Sequence, residues 1–424
     1  MKGKLIGIGV LVLVLALLVT LVPGCGGGGE KPPTGTTPTP GVTPPKATPT
    51  PQTKTVKVGV LAPLSGPAAP WGLDLVRGVE WAAARANDKG GVKVGNDTYT
   101  IKVTSYDAGL IPSTAETAAS RAVYEDGVKW VVGPILELTA QAVMPLLTQN
   151  KIVHNVVVNP IPLGPDTPYT FTSGGGCPDA WQDGFYDFVM ERYPQVKTVA
   201  LIFSPGNESH GEGSKLAIER RGLELVGLQG AYTYGTTDFY PQLIPLISKN
   251  PDLLDLGCAP PGDAALQIKQ ARELGYKGLI MANCIGGASN VVVDIAGLQA
   301  AEGVIANGTN YLSDAVPSES RAIYQDYVAR YHPEGGRLGT VVEIGYTNMN
   351  LYIKGWQEVG SLDPDAFVAR VTQPGYTFDN VGWTSQLGGQ ETMGLKRHVP
   401  VIQAYDIIQN GQLNTLQAGP LDCP

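Results

Sequence analysis

The sequence has few charged residues and no excess of basic ones. Only 16% of its 424 residues are Asp, Glu, Lys or Arg, and the formal net charge is −8. Proteins that bind nucleic acid usually present a basic face, so this composition argues against a nucleic-acid partner. Histidine and cysteine are also scarce, and their four and five copies show none of the short spacings of zinc or haem sites. We therefore expect no metal centre and no cofactor.

Long apolar runs are confined to the N-terminus. Lys2 and Lys4 precede an apolar stretch over residues 5–22, which is followed closely by Cys25. A basic start, an apolar segment and small residues at the cleavage point are typical of a secretory signal peptide. The end of this segment resembles a bacterial lipobox, which implies that Cys25 becomes the lipidated first residue of the mature chain. An uncleaved transmembrane helix is the alternative, because about 18 apolar residues nearly span a bilayer.

Residues 26–54 contain hardly any large apolar side chain. Four glycines are followed by a tract of proline and threonine, a composition that cannot bury a core. We assign residues 1–24 to the signal peptide and residues 25–54 to a tether. A Pro-rich chain of this length extends on the order of 80 Å, so it would hold a folded part near a membrane.

From residue 55 onward, strand-like segments alternate with helix-like segments. Val56, Val58 and Val60 have the two-residue period of a strand, and apolar positions over 73–86 recur at helical spacing. The same alternation continues to a late strand over 399–408. Repeated strand–helix units predict an α/β fold with parallel sheets that are covered by helices on both faces. The length suits two domains, and the glycine run at 174–176 is the expected crossover between them.

Two helix starts carry recognisable capping signals. Ser113 and Glu116 have the spacing of a capping box, in which the two side chains satisfy backbone amides of the first turn. Asp363 precedes Pro364, which predicts an N-cap followed by a proline at the first helical position.

The predicted topology also indicates where a ligand would bind. In open parallel sheets, ligands bind beyond the carboxyl ends of the strands, and pockets concentrate between domains. The segments at these ends are residues 62–71, 134–139, 158–160, 204–211, 258–261 and 282–286.

Several of these segments resemble a known family. The run APLSGPAAPWG at 62–72, the run NDKGG at 87–91, and the shorter HGEG at 210–213, QARELG at 270–275 and AEG at 301–303 resemble the branched-chain amino acid-binding proteins. The resemblance extends over residues 55 to about 411. It implies the type I periplasmic-binding fold, in which two doubly wound α/β lobes are joined by three crossovers and close on a ligand. Lobe 1 would comprise 55–173 with about 307–385, and lobe 2 would comprise 174–306 with about 386–424.

The family also implies a function. Its members are extracytoplasmic solute receptors of ABC importers, without catalysis, and they deliver a small molecule to a permease and its ATPase subunit. With the lipobox, this predicts a lipoprotein anchored to the bacterial cell membrane. Two alternatives stay open: a ligand-sensing receptor on the same fold, and a cysteine hydrolase that would use Cys177 and His210.

The family's recognition positions can be located in this sequence. By the resemblance, the backbone amides of Ser65 and Gly66 face the cleft, and Trp71 walls the apolar side of the ligand. The alternatives are that Ser65 and Gly66 only form a tight turn and that Trp71 belongs to the core.

Other positions depart from the family. Glu137, beside Leu138 and Thr139, stands where a serine holds the ligand carboxylate. The remaining replacements are Val158 and Asn159 for a small residue and a threonine, His210 and Ala259 for two tyrosines, and Cys284 for the acid that pairs the ligand ammonium.

These departures predict a different ligand class. An anionic Glu137 would repel a ligand carboxylate, and a buried ammonium would have lost its partner at Cys284. We therefore expect a small polar solute such as an amide or amine, and weak or no binding of leucine, isoleucine and valine. The alternative is that Glu137 is paired within the protein or faces solvent.

Cysteine positions predict one disulfide. Cys258 and Cys284 follow two successive strands of one strand–helix–strand unit. Neighbouring strands lie about 4.8 Å apart, which is within the Cα range that a disulfide allows, and an exported protein meets an oxidising environment. The alternative is two free thiols in the cleft. Cys177 and Cys423 are left to pair with each other or with these.

Overall fold

A computed structural model describes residues 53–157, 161, 163–174, 177, 180–230, 232–233, 235–331, 338–421 and 423. The predicted signal peptide, residues 25–52 of the predicted tether with the lipidation residue Cys25, and Val158 and Asn159 lie outside these residues. Thr53 and Lys54, which the sequence assigns to the tether, belong to the first strand instead. Within the described ranges, no helix combines the length and the apolar character needed to cross a membrane.

Strands and helices alternate along most of the described chain. The strands are β1 Thr53–Ala62, β2 Val92–Val94, β3 Asp97–Asp107, β4 Trp130–Val132, β5 Val153–Val156, β6 Thr170–Ser173, β7 Thr198–Ile202, β8 Glu224–Gln229, β9 Leu253–Asp255, β10 Leu279–Ala282, β11 Ile305–Ala306, β12 Phe378–Asn380, β13 Trp383–Ser385, β14 His398–Val399, β15 Ile402–Gln409 and β16 Gln412–Pro420. The helices are α1 Ala69–Asp88, α2 Pro112–Ser120, α3 Glu137–Gln149, α4 Ala180–Arg192, α5 Glu208–Arg220, α6 Tyr240–Ile247, α7 Pro261–Glu273, α8 Ser289–Ala296, α9 Leu298–Ala301, α10 Ser318–Tyr331, α11 Thr340–Val359, α12 Pro364–Val371 and α13 Gln390–Met393.

The strands form two seven-stranded sheets. The first has the order β14-β6-β5-β4-β1-β3-β2, and its neighbouring strands are parallel except for β2 against β3. The second has the order β16-β15-β11-β10-β9-β7-β8, where β15 runs antiparallel to both of its neighbours. The predicted α/β fold with two parallel-sheet lobes is therefore confirmed.

The C-terminal crossover differs from the expectation. The sequence analysis predicts one strand over 399–408 and assigns 386–424 to lobe 2, but His398–Val399 pairs with Thr172–Ser173 in the first sheet. Pro400 follows directly, and a proline has no N–H to donate to a strand ladder. The chain therefore leaves the first sheet there and enters the second as β15.

Successive side chains on the central strands point to opposite faces of each sheet and pack into separate hydrophobic cores. Val58 and Val60 of β1 face the cluster that contains α1 and α11, whereas Leu61 faces α2 and α3. In the second lobe, Ala200 and Ile202 of β7 face α6 to α9, and Val199 faces the side of α4 and α5. Each sheet is thus covered on both faces, and the loops at its carboxyl edge are positioned by a packed core.

The two predicted helix caps have different outcomes. Asp363 caps α12, because its carboxylate accepts a hydrogen bond from the Ala366 amide at 2.8 Å. The predicted capping box at Ser113 is wrong. Helix α2 begins one residue earlier, at Pro112, so Ser113 lies inside the first turn and the cap residue makes no side-chain bond. Proline is preorganised for the first helical position, and here it sets the start of the helix.

We expect Asp363→Ala to lower the free energy of unfolding by about 1 kcal/mol, the usual cost of a lost N-cap. Ser113→Ala is the matched control and should change stability by less than about 0.5 kcal/mol, as exposed sites usually do. Urea unfolding of both variants measures the difference. Equal stability of the two variants would contradict the assignment of the caps.

Candidate functional site

A cavity of about 50 Å³ lies where the carboxyl ends of the two sheets face each other. From the first lobe it is lined by Trp71, Ile135, Val157, Gly174 and the start of α11 at Thr340, Val341 and Ile344. From the second lobe it is lined by Trp181, His210, Cys258, Cys284, Gly286 and Asn307. Since one water needs about 10–15 Å³, the space suits a few waters or a small organic molecule.

The walls of this cavity are mostly apolar and carry no formal charge. Among the lining residues that the structure describes, there is no Asp, Glu, Lys or Arg. Burial lowers the pKa of His210 to about 4, so its imidazole is neutral at pH 7. A ligand with a full charge would therefore have no opposite charge beside it in this part of the site.

A few polar groups also line the cavity. The indole N–H of Trp181 is buried and has no hydrogen-bond partner among the residues that the structure describes. Asn307 accepts a hydrogen bond from the Gly286 amide at 2.8 Å and donates to the Thr340 hydroxyl at 3.4 Å. An unpartnered buried donor is costly, so the Trp181 N–H favours a ligand that brings an acceptor.

Besides the Asn307–Thr340 bond, two further side-chain hydrogen bonds between described residues join the lobes around the cavity. The Trp71 indole N–H donates to the carbonyl of Cys284 at 2.8 Å. Between the first turns of α5 and α3, the Ser209 hydroxyl donates to Glu137 Oε2 at 2.7 Å. These contacts describe a closed arrangement, because each takes one partner from either lobe.

The backbones of the two lobes also approach closely at one point. A Cβ atom on Gly339, just before α11, would lie 2.2 Å from the carbonyl oxygen of Gly286. Gly286 itself has a φ of +61°, where side chains are disfavoured. Glycine is therefore needed at both positions for the cavity to close on this side.

A disulfide forms part of the cavity wall. Cys258 and Cys284 are bonded, with Cα atoms 4.9 Å apart, and the Cys284 sulfur lies 3.6 Å from His210 Nε2. The carbonyl of Cys258 accepts hydrogen bonds from Ser204 Oγ at 2.8 Å and from Asn207 Nδ2 at 3.1 Å. Three loops of the second lobe are thereby tied together beside the ligand space.

The structure brings some of the predicted site residues together. Trp71, His210 and Cys284 line the cavity, and so does Cys258. Ala259 is buried in the core of the second lobe instead. Val158 and Asn159 lie outside the described residues, and their assignment to the site stays a prediction.

Ser65 and Gly66 are exposed and do not line the cavity. The Ser65 hydroxyl donates to Asp107 at 3.1 Å, and the Leu64 amide donates to the same carboxylate at 3.0 Å. These bonds hold the loop against its own lobe. They agree with the alternative that Ser65 and Gly66 only form a tight turn.

Glu137 and its neighbours also lie outside the cavity wall. The two carboxylate oxygens of Glu137 accept hydrogen bonds from Ser209 and, at 3.0 Å, from Gln141. Leu138 is 46% exposed, and Thr139 is buried with its hydroxyl bonded to the Leu136 carbonyl. Glu137 is thus paired within the protein, which is the alternative given for it, and its selection of an amide or amine stays a prediction.

A cysteine hydrolase, the second alternative, would need the Cys177 thiol as its nucleophile. Cys177 is bonded to Cys423, with Cα atoms 5.7 Å apart, and His210 lies against Cys284. A disulfide sulfur has no thiolate to attack a substrate.

Seven lining residues were missed by the sequence analysis: Val157, Gly174, Trp181, Asn307, Thr340, Val341 and Ile344. Gly174, Trp181 and Asn307 lie near points where the chain passes from one lobe to the other, and Thr340, Val341 and Ile344 lie in the first two turns of α11. The glycine run at 174–176 was the available signal, since residues beside a crossover necessarily lie between the lobes.

Known proteins are similar over most of the chain. A family model for periplasmic binding proteins matches residues 55–409. The Leu/Ile/Val-binding protein homolog 3 of Brucella melitensis is 26% identical over 330 residues, which cover 76% of this chain and 83% of that protein. The Leu/Ile/Val-binding protein of Escherichia coli K12 is 26% identical over 297 residues, which cover 67% of this chain and 76% of that protein.

Solved structures share the fold. The substrate-binding protein LivJ from Streptococcus pneumoniae, in complex with isoleucine, has a TM-score of 0.70 at 19% identity and covers 87% of this chain and 100% of its own. A solute-binding protein from R. palustris in complex with benzoate has a TM-score of 0.67 at 17% identity and covers 87% and 98%. The resemblance to the branched-chain amino acid-binding proteins is thus confirmed, and the chain belongs to the periplasmic binding protein family.

Proposed function

We propose that this protein captures a small, uncharged and largely apolar organic solute outside the cytoplasm and delivers it to an ABC permease and its ATPase. The observation that carries the proposal is the cavity between the lobes, whose described lining is apolar or neutral. Membership of the periplasmic binding protein family supports a binding rather than a catalytic role.

Capture would work by closure of the two lobes. The lining residues come from both lobes, so a solute makes its full set of contacts only when the lobes are together. The bonds Trp71–Cys284 and Ser209–Glu137 form in that same arrangement. A ligand that contacts both walls therefore shifts the population toward the closed form.

The neutral lining argues against a zwitterionic amino acid as the ligand. A buried ammonium or carboxylate needs a charged or strongly hydrogen-bonding partner. The described lining offers the Trp181 N–H and the polar groups of Thr340 and Asn307. Such a site matches one acceptor group, such as a carbonyl, on an otherwise apolar molecule. The relatives named for leucine, isoleucine and valine make those amino acids the sharpest comparison.

The location we propose is the outer face of the bacterial cell membrane. Its support is the signal peptide pattern of residues 1–24 and the lipobox-like ending at Cys25. A lipid anchor followed by the tether of residues 25–54 would keep the receptor close to its permease and free to rotate.

We expect 4-methylpentanamide to raise the melting temperature more than leucine does at equal concentration. The two molecules share the same branched side chain, but the amide has neither the ammonium nor the carboxylate. Thermal-shift measurements followed by calorimetry test this, because a ligand that binds the folded state stabilises it. Micromolar binding of leucine, isoleucine or valine would contradict the proposed ligand class.

A pair of variants shows whether binding occurs in this cavity. Ile344→Phe adds a ring to a lining position, whereas Ile244→Phe adds the same ring at a site that is 52% exposed. The rise in melting temperature that 4-methylpentanamide causes should be lost in Ile344→Phe and kept in Ile244→Phe.

We expect Cys25→Ser to abolish lipidation and leave unprocessed precursor. Thr20→Ser, which keeps Cys25, should be processed normally. Incorporation of labelled fatty acid and membrane fractionation measure both variants. A Cys25→Ser protein that is matured and retained like the wild type would contradict the lipoprotein assignment.

A further inference from the structure

One end of the cavity holds three side chains that commonly bind metal ions. His210 lies in the first turn of α5, Cys258 and Cys284 lie in the loops after β9 and β10, and the ligand atoms of all three are within 4.8 Å of one another. His210 and Cys258 are buried, and Cys284 is partly buried.

The spacing matches a tetrahedral metal site. Zinc–sulfur and zinc–nitrogen bonds of about 2.3 and 2.05 Å at a tetrahedral angle separate the two ligand atoms by about 3.6 Å. The Cys284 sulfur and His210 Nε2 are 3.6 Å apart. The Cα atoms of the two cysteines are 4.9 Å apart, so both sulfurs can reach one ion once the bond between them is broken.

We propose that, once the Cys258–Cys284 disulfide is reduced, this cluster binds one thiophilic metal ion of the Zn²⁺ type. Cys258, Cys284 and His210 would supply three ligands, and the fourth position would face the cavity. A site with thiolate and imidazole ligands and no carboxylate in its described lining selects soft or borderline ions over Mg²⁺ and Ca²⁺.

Each chemical step of this conversion is balanced. A phosphine reductant gives two electrons to the disulfide and takes an oxygen atom from water, and the two water protons pass to the sulfurs. Metal binding then releases both thiol protons to solvent, and His210 donates the lone pair of Nε2.

The surrounding hydrogen bonds hold the three ligands in place. Ser204 and Asn207 fix the backbone carbonyl of Cys258, and Trp71 fixes that of Cys284. Asn283 lies against the His210 imidazole. Outer contacts of this kind orient metal ligands and support affinity.

Cobalt titration of the reduced protein tests the proposal. The parent is the full chain with Cys25→Ser, which removes the one remaining thiol, and Co²⁺ is added without oxygen after phosphine treatment. We expect one equivalent of Co²⁺ per chain, with sulfur-to-cobalt charge-transfer absorption and the strong visible bands of a tetrahedral site. The oxidised parent should show neither.

Variants separate this site from the other cysteine pair. Adding Cys177→Ser and Cys423→Ser should leave the spectrum unchanged. Adding Cys258→Ser and Cys284→Ser should remove it, and adding His210→Gln, which keeps the disulfide available for folding, should weaken Zn²⁺ binding at least about tenfold. Circular dichroism confirms that each variant is folded.

The proposal is overturned if the reduced parent takes up no stoichiometric cobalt, or if the spectrum survives loss of Cys258 and Cys284. Neither outcome affects the proposed solute binding, because that is measured on the oxidised protein.

Discussion

The hydrogen bond from the Trp71 indole to the Cys284 carbonyl is the contact on which the rest of the site depends. It holds the Trp71 ring of the first lobe against the Cys284 loop of the second lobe. The disulfide then fixes the Cys258 loop relative to the Cys284 loop. Ser204 and Asn207 connect Cys258 to the start of α5, where Ser209 returns to the first lobe at Glu137. These bonds run from the first lobe through three segments of the second lobe and back to the first lobe. We therefore expect a change at any one of them to alter the shape of the cavity.

Charged side chains are absent from the described lining of the cavity. The Glu137 carboxylate accepts hydrogen bonds from Ser209 and Gln141 and does not belong to that lining. His210 is kept neutral by burial, which lowers its pKa to about 4. A closed, neutral cavity binds through surface burial and a few hydrogen bonds, and this is the physical reason for proposing an uncharged solute in a family whose relatives here are named for amino acids.

Much of the fold and part of the site were predictable from the sequence. The periodicity of segments such as 56–60 identifies the strands, and the rule that ligands bind at their carboxyl ends locates Trp71, His210, Cys258 and Cys284. Side-chain direction was not predictable in the same way: Glu137 follows the right strand, but its partner Ser209 lies on the other lobe. The grouping of His210, Cys258 and Cys284 could not be predicted from spacing, because Cys284 is 26 positions from Cys258 and 74 from His210, so only the fold brings the three side chains together. Thr340 and Ile344 were missed because they lie at the start of a long helix and not in a loop that follows a strand.

The most direct test of the account is the affinity of two tryptophan variants for 4-methylpentanamide. Trp71→Phe keeps an aromatic wall but removes the donor that joins the lobes, whereas Trp81→Phe removes an indole donor to Asp326 within the first lobe, at 2.7 Å. Calorimetry should show affinity weakened by about 0.5–1.5 kcal/mol in Trp71→Phe, the net value of one hydrogen bond, and by about 1–3 kcal/mol in Trp71→Ala, which also loses the aromatic surface. Trp81→Phe should bind like the wild type. Unchanged affinity in both Trp71 variants would contradict the claim that this contact closes the lobes over the ligand.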